Sequence, residues 1–340
     1  MSSVILIGYG SVGRRHAEVV RNNGHQVVIV DHDKDARNHA IKTYPNATVI
    51  SDIEQIDHTA QYSAGIIATW APTHCKYFHE LADLGVDRIL CEKPLSHSLA
   101  SAESMCSRAD LEDIRLLVNH QFRYSDEVDK IRLWENDFDL GSPVRISSAG
   151  GALGLVNNGV HYKDLAFQIF GSQPTEVVST AQSDSINPRS DSLDYYGGTT
   201  VVDFGERREA IFTYNNRSSL ESSLRIDYRD GVIIINSENN VTIRHRDPDE
   251  LKEYPSITRY GPASTILHSE SKPFTVDVPT RFEKAMDDLF ADSTPKSPGG
   301  IGKDILHACI GSLIASVENK SVNLPISTEN DYWEHEWGFN

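Results

Sequence analysis

Little in this chain offers metal, redox or membrane chemistry. Its 340 residues include only 4 cysteines, and Cys75, Cys91, Cys106 and Cys309 form neither a CxxC pair nor the His/Cys spacing of a zinc site. Reduced thiols in a cytoplasmic protein, with no bound metal, are the simplest expectation. No apolar run approaches the ~18–20 residues of a membrane span, and the first strand begins at Val4. The sequence therefore predicts neither a membrane partner nor a signal peptide. Basic clusters are lacking too: 32 Lys and Arg stand against 49 Asp and Glu, a formal charge of −17. Without clustered cations, nucleic acid is excluded as a partner, and the acidity reads as solubility. Two histidine patterns also fall short of metal sites. His79-Glu80 has Asp83 where HExxH needs its second His, and His25, His32 and His39 are spread over a predicted strand and helix.

What the chain does have stands at its start. The apolar run Val4-Ile5-Leu6-Ile7 leads into Gly8-Tyr9-Gly10-Ser11-Val12-Gly13 and on to Arg14-Arg15-His16, which reads as strand, glycine turn, helix. Gly8 suits the tight turn, Gly10 lets backbone approach a pyrophosphate, and Gly13 lets the helix pack closely. The phosphates then meet unpaired N–H groups at a helix N-terminus. A second apolar run, Val27-Val28-Ile29-Val30, ends in Asp31, near the offset expected for a carboxylate that holds the adenosine ribose. Asp31 argues for NAD over NADP, since it repels a 2′-phosphate; Lys34 and Arg37 nearby keep NADP open.

From Val4 to about Leu117 short apolar strands alternate with amphipathic helical stretches, the pattern of a parallel sheet wrapped by helices. Helices are predicted over 35–44, 74–84 and 98–109, and strands over 47–50, 64–69, 88–91 and 116–118. Thr69, Trp70 and His74 follow one strand at the edge where open α/β sheets bind ligands, and are cofactor-binding candidates. Glu92-Lys93-Pro94 follows the next strand. Asn119 to Arg123 follow the last, and the domain boundary is placed near Phe122. Beyond it, a helix over 126–135, a strand over 143–148, a glycine-rich loop over 150–154 and a helix over 159–170 precede several strand-like runs between 176 and 245. Those runs suggest a largely antiparallel meander with one face free. Residues 248–279 read as irregular surface. Helices over 281–292 and 301–319 close the chain, the second with a core stripe of Ile305, Leu306, Cys309, Ile310 and Leu313. The expected architecture is α/β: a dinucleotide-binding Rossmann domain over 1–122, then an α+β domain over 123–340 with an open, largely antiparallel sheet.

Three motifs together, the Gly8 to His16 pattern, Glu92-Lys93-Pro94 and His161-x-x-Asp164, resemble the glucose-fructose oxidoreductase/inositol dehydrogenase (Gfo/Idh/MocA) family over nearly the whole chain. The resemblance implies an NAD(P)-dependent oxidoreductase that moves hydride between a nicotinamide and a secondary alcohol or ketone of a sugar, cyclitol or sugar derivative. It implies a homodimer or homotetramer. Lys93 and His161 become the catalytic candidates: the Lys93 ammonium would stabilise a developing alkoxide, and desolvation beside a positive nicotinamide would ease its proton exchange. Glu92 shapes the turn and joins the cofactor set. Asp164, one helical turn after His161, would orient the imidazole or hold substrate, and Arg123 and Tyr124 fall on the substrate side. The family often shows Asp-x-x-x-His where this chain has Asn157-Asn158-Gly159-Val160-His161. Asn157 cannot be a carboxylate base but can still hydrogen-bond a substrate. The alternative reading is a nucleotide-binding regulatory or sensor protein of the same fold without turnover.

Overall fold

Short runs rich in valine, isoleucine and leucine, the central ones buried on both faces, make a six-stranded parallel sheet. Such continuous apolar strands are what a sheet covered on both sides requires. The computed structural model describes residues 2–151, 153–184, 193–215, 223–236, 238, 240–246, 264–270 and 278–339. The chain begins β1 (Ser3–Ile7), α1 (Ser11–Asn22), β2 (Gln26–Val30), α2 (Lys34–Thr43), β3 (Thr48–Ile50), β4 (Ala64–Ile67), α3 (Ala71–Asp83), β5 (Arg88–Cys91), α4 (Leu99–Leu111) and β6 (Arg115–Val118). The strand order is β3-β2-β1-β4-β5-β6, a Rossmann fold in which every strand delivers its C-terminal end to one edge. Helix starts follow local chemistry. Asp33 caps α2 by accepting from the N–H groups of Asp35 and Ala36, and Ser98 caps α4 through the N–H of Ser101.

The chain continues with α5 (Glu127–Asp137), β7 (Pro143–Gly151), α6 (Gly159–Phe170), β8 (Glu176–Ser179), β9 (Gln182–Asp184), β10 (Tyr195–Asp203), β11 (Glu209–Asn215), β12 (Ser223–Tyr228), β13 (Gly231–Ile235), β14 (Val241–Arg246) and β15 (Ser264–Glu270). It closes with α7 (Val278–Phe290), α8 (Gly299–Glu318) and β16 (Val322–Asn323). The second sheet runs β15-β14-β13-β12-β7-β11-β10-β8-β16, with β9 beside β10. It is antiparallel except where β7 and β11 pair in parallel, so the meander is interrupted at its centre. Gly171, with φ 63°, ends α6 in the left-handed conformation, and Arg132 donates to the carbonyls of Gln168 and Ile169 in its last turn.

Three expectations change. Gly150 and Gly151 are the end of β7, paired with Tyr214 and Asn215, rather than loop; Ala152 lies outside the described residues. The stretch read as irregular contains β15 and the start of α7, while 248–263 and 271–277 lie outside the described residues. Finally, α8 is 20 residues long and, with a mean hydropathy of 1.2, long and apolar enough by composition to cross a membrane. Ile305, Leu306, Ala308, Ile310, Leu313 and Ile314 are buried along it, as in a core helix.

The domain division also differs. One compact unit comprises Met1–Tyr124, Asp277–His307 and Ser327–Asn340, the other Ser125–Val276 and Ala308–Ile326. The first crossing lies two residues from the sequence boundary, but the segments after 276 do not all stay with the second unit. The reason is the apolar face of α7: Phe282, Ala285, Met286 and Leu289 join Ala17, Val20 and Tyr124 in the core of the Rossmann unit. Arg88 and Arg115 fasten the same helix by donating to the carbonyls of Leu289 and Asp288. Leu289→Ala is therefore expected to destabilise the Rossmann unit by about 2–5 kcal/mol, seen as a lower urea midpoint. A loss below about 1 kcal/mol would show that α7 is not part of that core.

Candidate functional site

The glycine turn is built by steric necessity. Gly8 has φ +91°, and a Cβ there would lie 2.7 Å from the carbonyl oxygen of Ala68. At Gly13 a Cβ would fall 1.9 Å from the carbonyl oxygen of Gly8, so the first turn of α1 can close on the strand end only if residue 13 is glycine. Gly10 is different: a Cβ there meets nothing within 4 Å. It is the N-cap of α1, yet no side chain caps the helix and no acidic residue stands in its first turn. The first-turn N–H groups, at Ser11, Val12 and Gly13, have no intrahelical acceptor. This is a cradle for an anion.

A cavity of about 790 Å³ opens from that cradle, bordered by Gly8, Tyr9, Gly10, Asp31, Thr69 and Trp70. Its size and shape suit a dinucleotide half. Asp31 is held rigidly: its Oδ2 accepts from the N–H of Tyr9 at 2.6 Å and its Oδ1 from the N–H of Asp33 at 2.8 Å. Arg37 donates to the carbonyls of Asp31 and His32, so this cation is already engaged. Arg14, His39, Thr73 and Tyr77 also line the cavity and carried no clear sequence signal, although Arg14 lies one residue past the glycine motif. The Arg14 guanidinium sits 5.6 Å from the centre of the Tyr9 ring, a cation–π arrangement that orders both.

At the next strand ends the picture shifts from binding to bracing. Glu92 is buried, and its Oε1 receives hydrogen bonds from His16 Nε2 at 2.8 Å and Asn119 Nδ2 at 2.7 Å. Burial alone would raise this carboxyl. The hydrogen bond and charge of His16, the Asn119 amide and the charge of Lys93 outweigh it and hold the group below its ordinary value. Glu92 is thus a support rather than a cofactor contact. His74 also leaves the cofactor set: it is buried, with Nε2 3.1 Å from the Thr69 carbonyl and Nδ1 3.1 Å from that of Pro94. It ties the loop after β4 to the loop after β5. Lys93 itself is partly buried and is joined to Pro94 by a cis peptide bond.

Tyr124 departs from its expected substrate role. Its ring is 1% exposed, and its hydroxyl donates to Asp288 Oδ2 at 3.0 Å. Arg115 and the N–H of Lys296 satisfy the same carboxylate. Arg123 is partly exposed and donates to the Lys296 carbonyl. Sequence reasoning missed these pairings because Asp288 lies 164 residues from Tyr124.

In the second unit, α6 carries His161, partly exposed, and Asp164, fully buried. Asp164 accepts from Gln168 Nε2 at 3.0 Å, so it serves at least in part as an internal support of the helix. Asn157 is buried just before α6. The segment leading into α6 is anchored by Lys163, whose buried ammonium donates to the Leu155 carbonyl at 2.8 Å.

Comparison with known proteins agrees with this geometry. Residues 2–120 match the GFO_IDH_MocA family, described as an oxidoreductase family with an NAD-binding Rossmann fold. The chain is similar to a D-apiose dehydrogenase of Paraburkholderia graminis, at 26% identity over 71% of this chain and 69% of that one. It is also similar to an inositol 2-dehydrogenase of Rhizobium meliloti, at 22% identity over 69% of this chain and 74% of the other. Among solved structures, an Agrobacterium radiobacter oxidoreductase in complex with NAD+, L-tartaric acid and magnesium shares the fold. It has 18% identity and a TM-score of 0.74, over 95% of this chain and 98% of that one.

The glycines separate binding from folding. Gly10→Ala should cost under about 1 kcal/mol of stability while weakening NADH binding at least about tenfold, because its methyl enters the space kept for phosphate. Gly13→Ala should lower the melting temperature as well. Equal NADH affinity in Gly10→Ala and wild type would remove the pyrophosphate from that cradle.

A pH dependence follows from the buried histidines. Burial first, then the charges of Arg123 and Lys93, hold His120 at about 3. Burial, then Lys303, holds His307 at about 4, and burial keeps His74 below its ordinary value. Unfolded, each titrates near about 6.5. As pH falls below that value the unfolded chain gains protons that the folded chain refuses, and stability drops, by up to about 1.4 kcal/mol per pH unit for each of His120 and His307. Glu92, depressed in the folded state, adds its loss only at lower pH, below its unfolded value. The urea midpoint should thus decline between about pH 6.5 and 5; a flat profile there would contradict neutral buried histidines.

Proposed function

We propose that the chain is an oxidoreductase of the Gfo/Idh/MocA family, whose model matches residues 2–120, and that it moves hydride between NAD and a secondary alcohol or ketone of a sugar, cyclitol or sugar derivative. The observation that carries the reading is the single sheet edge at which the Gly8 turn, Asp31, Trp70 and Lys93 all emerge. The relatives named for D-apiose and inositol support the substrate class.

NAD rather than NADP suits the cavity, because Asp31, Asp33 and Asp35 all line it and Arg37 is spent on backbone carbonyls. A 2′-phosphate would meet carboxylates. When bound, the nicotinamide supplies the hydride acceptor. The chain's own residues then handle the oxygen. Oxidising an alcohol releases a hydride from carbon and a proton from the hydroxyl; Lys93 holds that oxygen and stabilises its developing charge, and His161 is the proton acceptor that the family resemblance implies. Asn157 and Arg123 hydrogen-bond other hydroxyls, and Asp164 keeps the His161 helix in place.

Lys93→Ala tests the assignment. With inositols, D-apiose and a wider polyol panel, turnover should fall by about 10²–10⁴-fold while NADH binding, read by fluorescence, is retained. A drop smaller than about tenfold with cofactor still bound would remove Lys93 from the chemistry.

A further inference from the structure

His120 is 1% exposed, and neither of its ring nitrogens has a hydrogen-bond partner among the described residues. A neutral imidazole carries one donor and one acceptor, and native interiors pair nearly all such groups. A side chain that leaves both unengaged points to a partner outside the protein. Its place in the fold says which one. β5 and β6 run in parallel with Cys91 level with Val118; one residue on, Asn119 donates to Glu92. One step further along each segment stand Lys93 and His120, near enough for the charge of Lys93 to act on the His120 ring. The backbone here is fixed: Asn119 N–H donates to the Cys91 carbonyl at 2.8 Å, His120 N–H to that of Val118 at 2.7 Å, and Arg123 N–H to that of His120 at 3.0 Å. His120 lies outside the lining of the cavity around Gly8 and Asp31, so the adenosine half of the cofactor is not its partner.

We infer that His120 is a substrate-binding residue, its imidazole exchanging hydrogen bonds with a hydroxyl of the polyol next to the carbon whose oxygen Lys93 holds. This rests on the dehydrogenase reading above. A hydroxyl both donates and accepts, as the neutral ring does. Burial and the two neighbouring cations, Arg123 and Lys93, keep the ring uncharged, so it keeps one donor and one acceptor.

The test uses the full chain with NAD+ and whichever of myo-inositol, D-apiose or a wider polyol panel the wild type oxidises. In His120→Phe, which removes both ring nitrogens, kcat/KM should fall by at least about tenfold, the NAD+ Kd should stay within about twofold, and the ligand-free melting temperature should be unchanged or higher, because no protein hydrogen bond is lost. His120→Asn, smaller and still able to donate and accept, should recover part of kcat/KM and keeps the test readable if phenylalanine does not fit. A smaller loss of kcat/KM in the phenylalanine variant, or no recovery in the asparagine variant, overturns the inference. So does a melting temperature more than about 3 °C lower in both variants, which would reveal a structural partner. No turnover by the wild type on any polyol overturns the dehydrogenase reading and this inference with it. Turnover by the wild type that survives in His120→Phe overturns this inference alone.

Discussion

The buried carboxylate of Glu92 is the constraint on which the functional edge depends. Taking a carboxylate out of water costs several kcal/mol even after relaxation, and the fold meets that cost with two donors on one oxygen, His16 from α1 and Asn119 from the end of β6. Three elements are thereby fastened at one point. The helix that starts at the phosphate cradle, the turn that carries Lys93 and the strand end that carries His120 cannot shift independently without exposing or orphaning a charge. His16 also packs edge-on against Phe282 of α7, with ring centres 4.6 Å apart, which extends the constraint to the helix that returns from far along the chain.

His74 is a second brace of a different kind. Both of its nitrogens face carbonyl oxygens, Thr69 on one side and Pro94 with Leu95 on the other. A neutral ring has a single N–H and donates on one side only; protonation would let it donate on both. Burial opposes that charge more strongly than the carbonyls and Glu92 favour it. The ring is therefore a spacer with one hydrogen bond at a time, holding the loop at the cavity wall and the Lys93 turn at a set separation. A cofactor contact at this position would have to break that tie.

How much of this the sequence disclosed depends on the distance over which each cause acts. The glycine turn was legible because its reasons are local: a positive φ, a 1.9 Å clash and an open space all arise within six residues. The span of α6, Gly159–Phe170, was legible because Gly171 stops it. Tyr124 was misread for the opposite reason, since a tyrosine past a strand end looks the same whether it faces a ligand or an Asp288 that arrives 164 residues later. Likewise the stripe of Phe282, Ala285, Met286 and Leu289 announces burial but not against which sheet. Gly150 and Gly151 were read as loop because glycine is poor in strands, yet the parallel pairing with β11 extends β7 through them.

The second unit solves a related problem with the opposite charge. α6 begins without a side-chain cap, so the position of His161 must be fixed from elsewhere. Lys163 does this from inside the core: its ammonium, 1% exposed, holds the Leu155 carbonyl and lies 5.3 Å from the centre of the Phe212 ring. Burial lowers its pKa, with Cys309 pulling weakly the other way. Leu155 in turn donates to the Tyr196 carbonyl, and Tyr195 donates to the Asn158 side chain. The segment between β7 and α6 is thus pinned from the helix on one side and from β10 on the other. A buried lysine is a costly anchor compared with a leucine of similar reach, and its retention is explained if the carbonyl it holds sets where Asn157 and His161 stand.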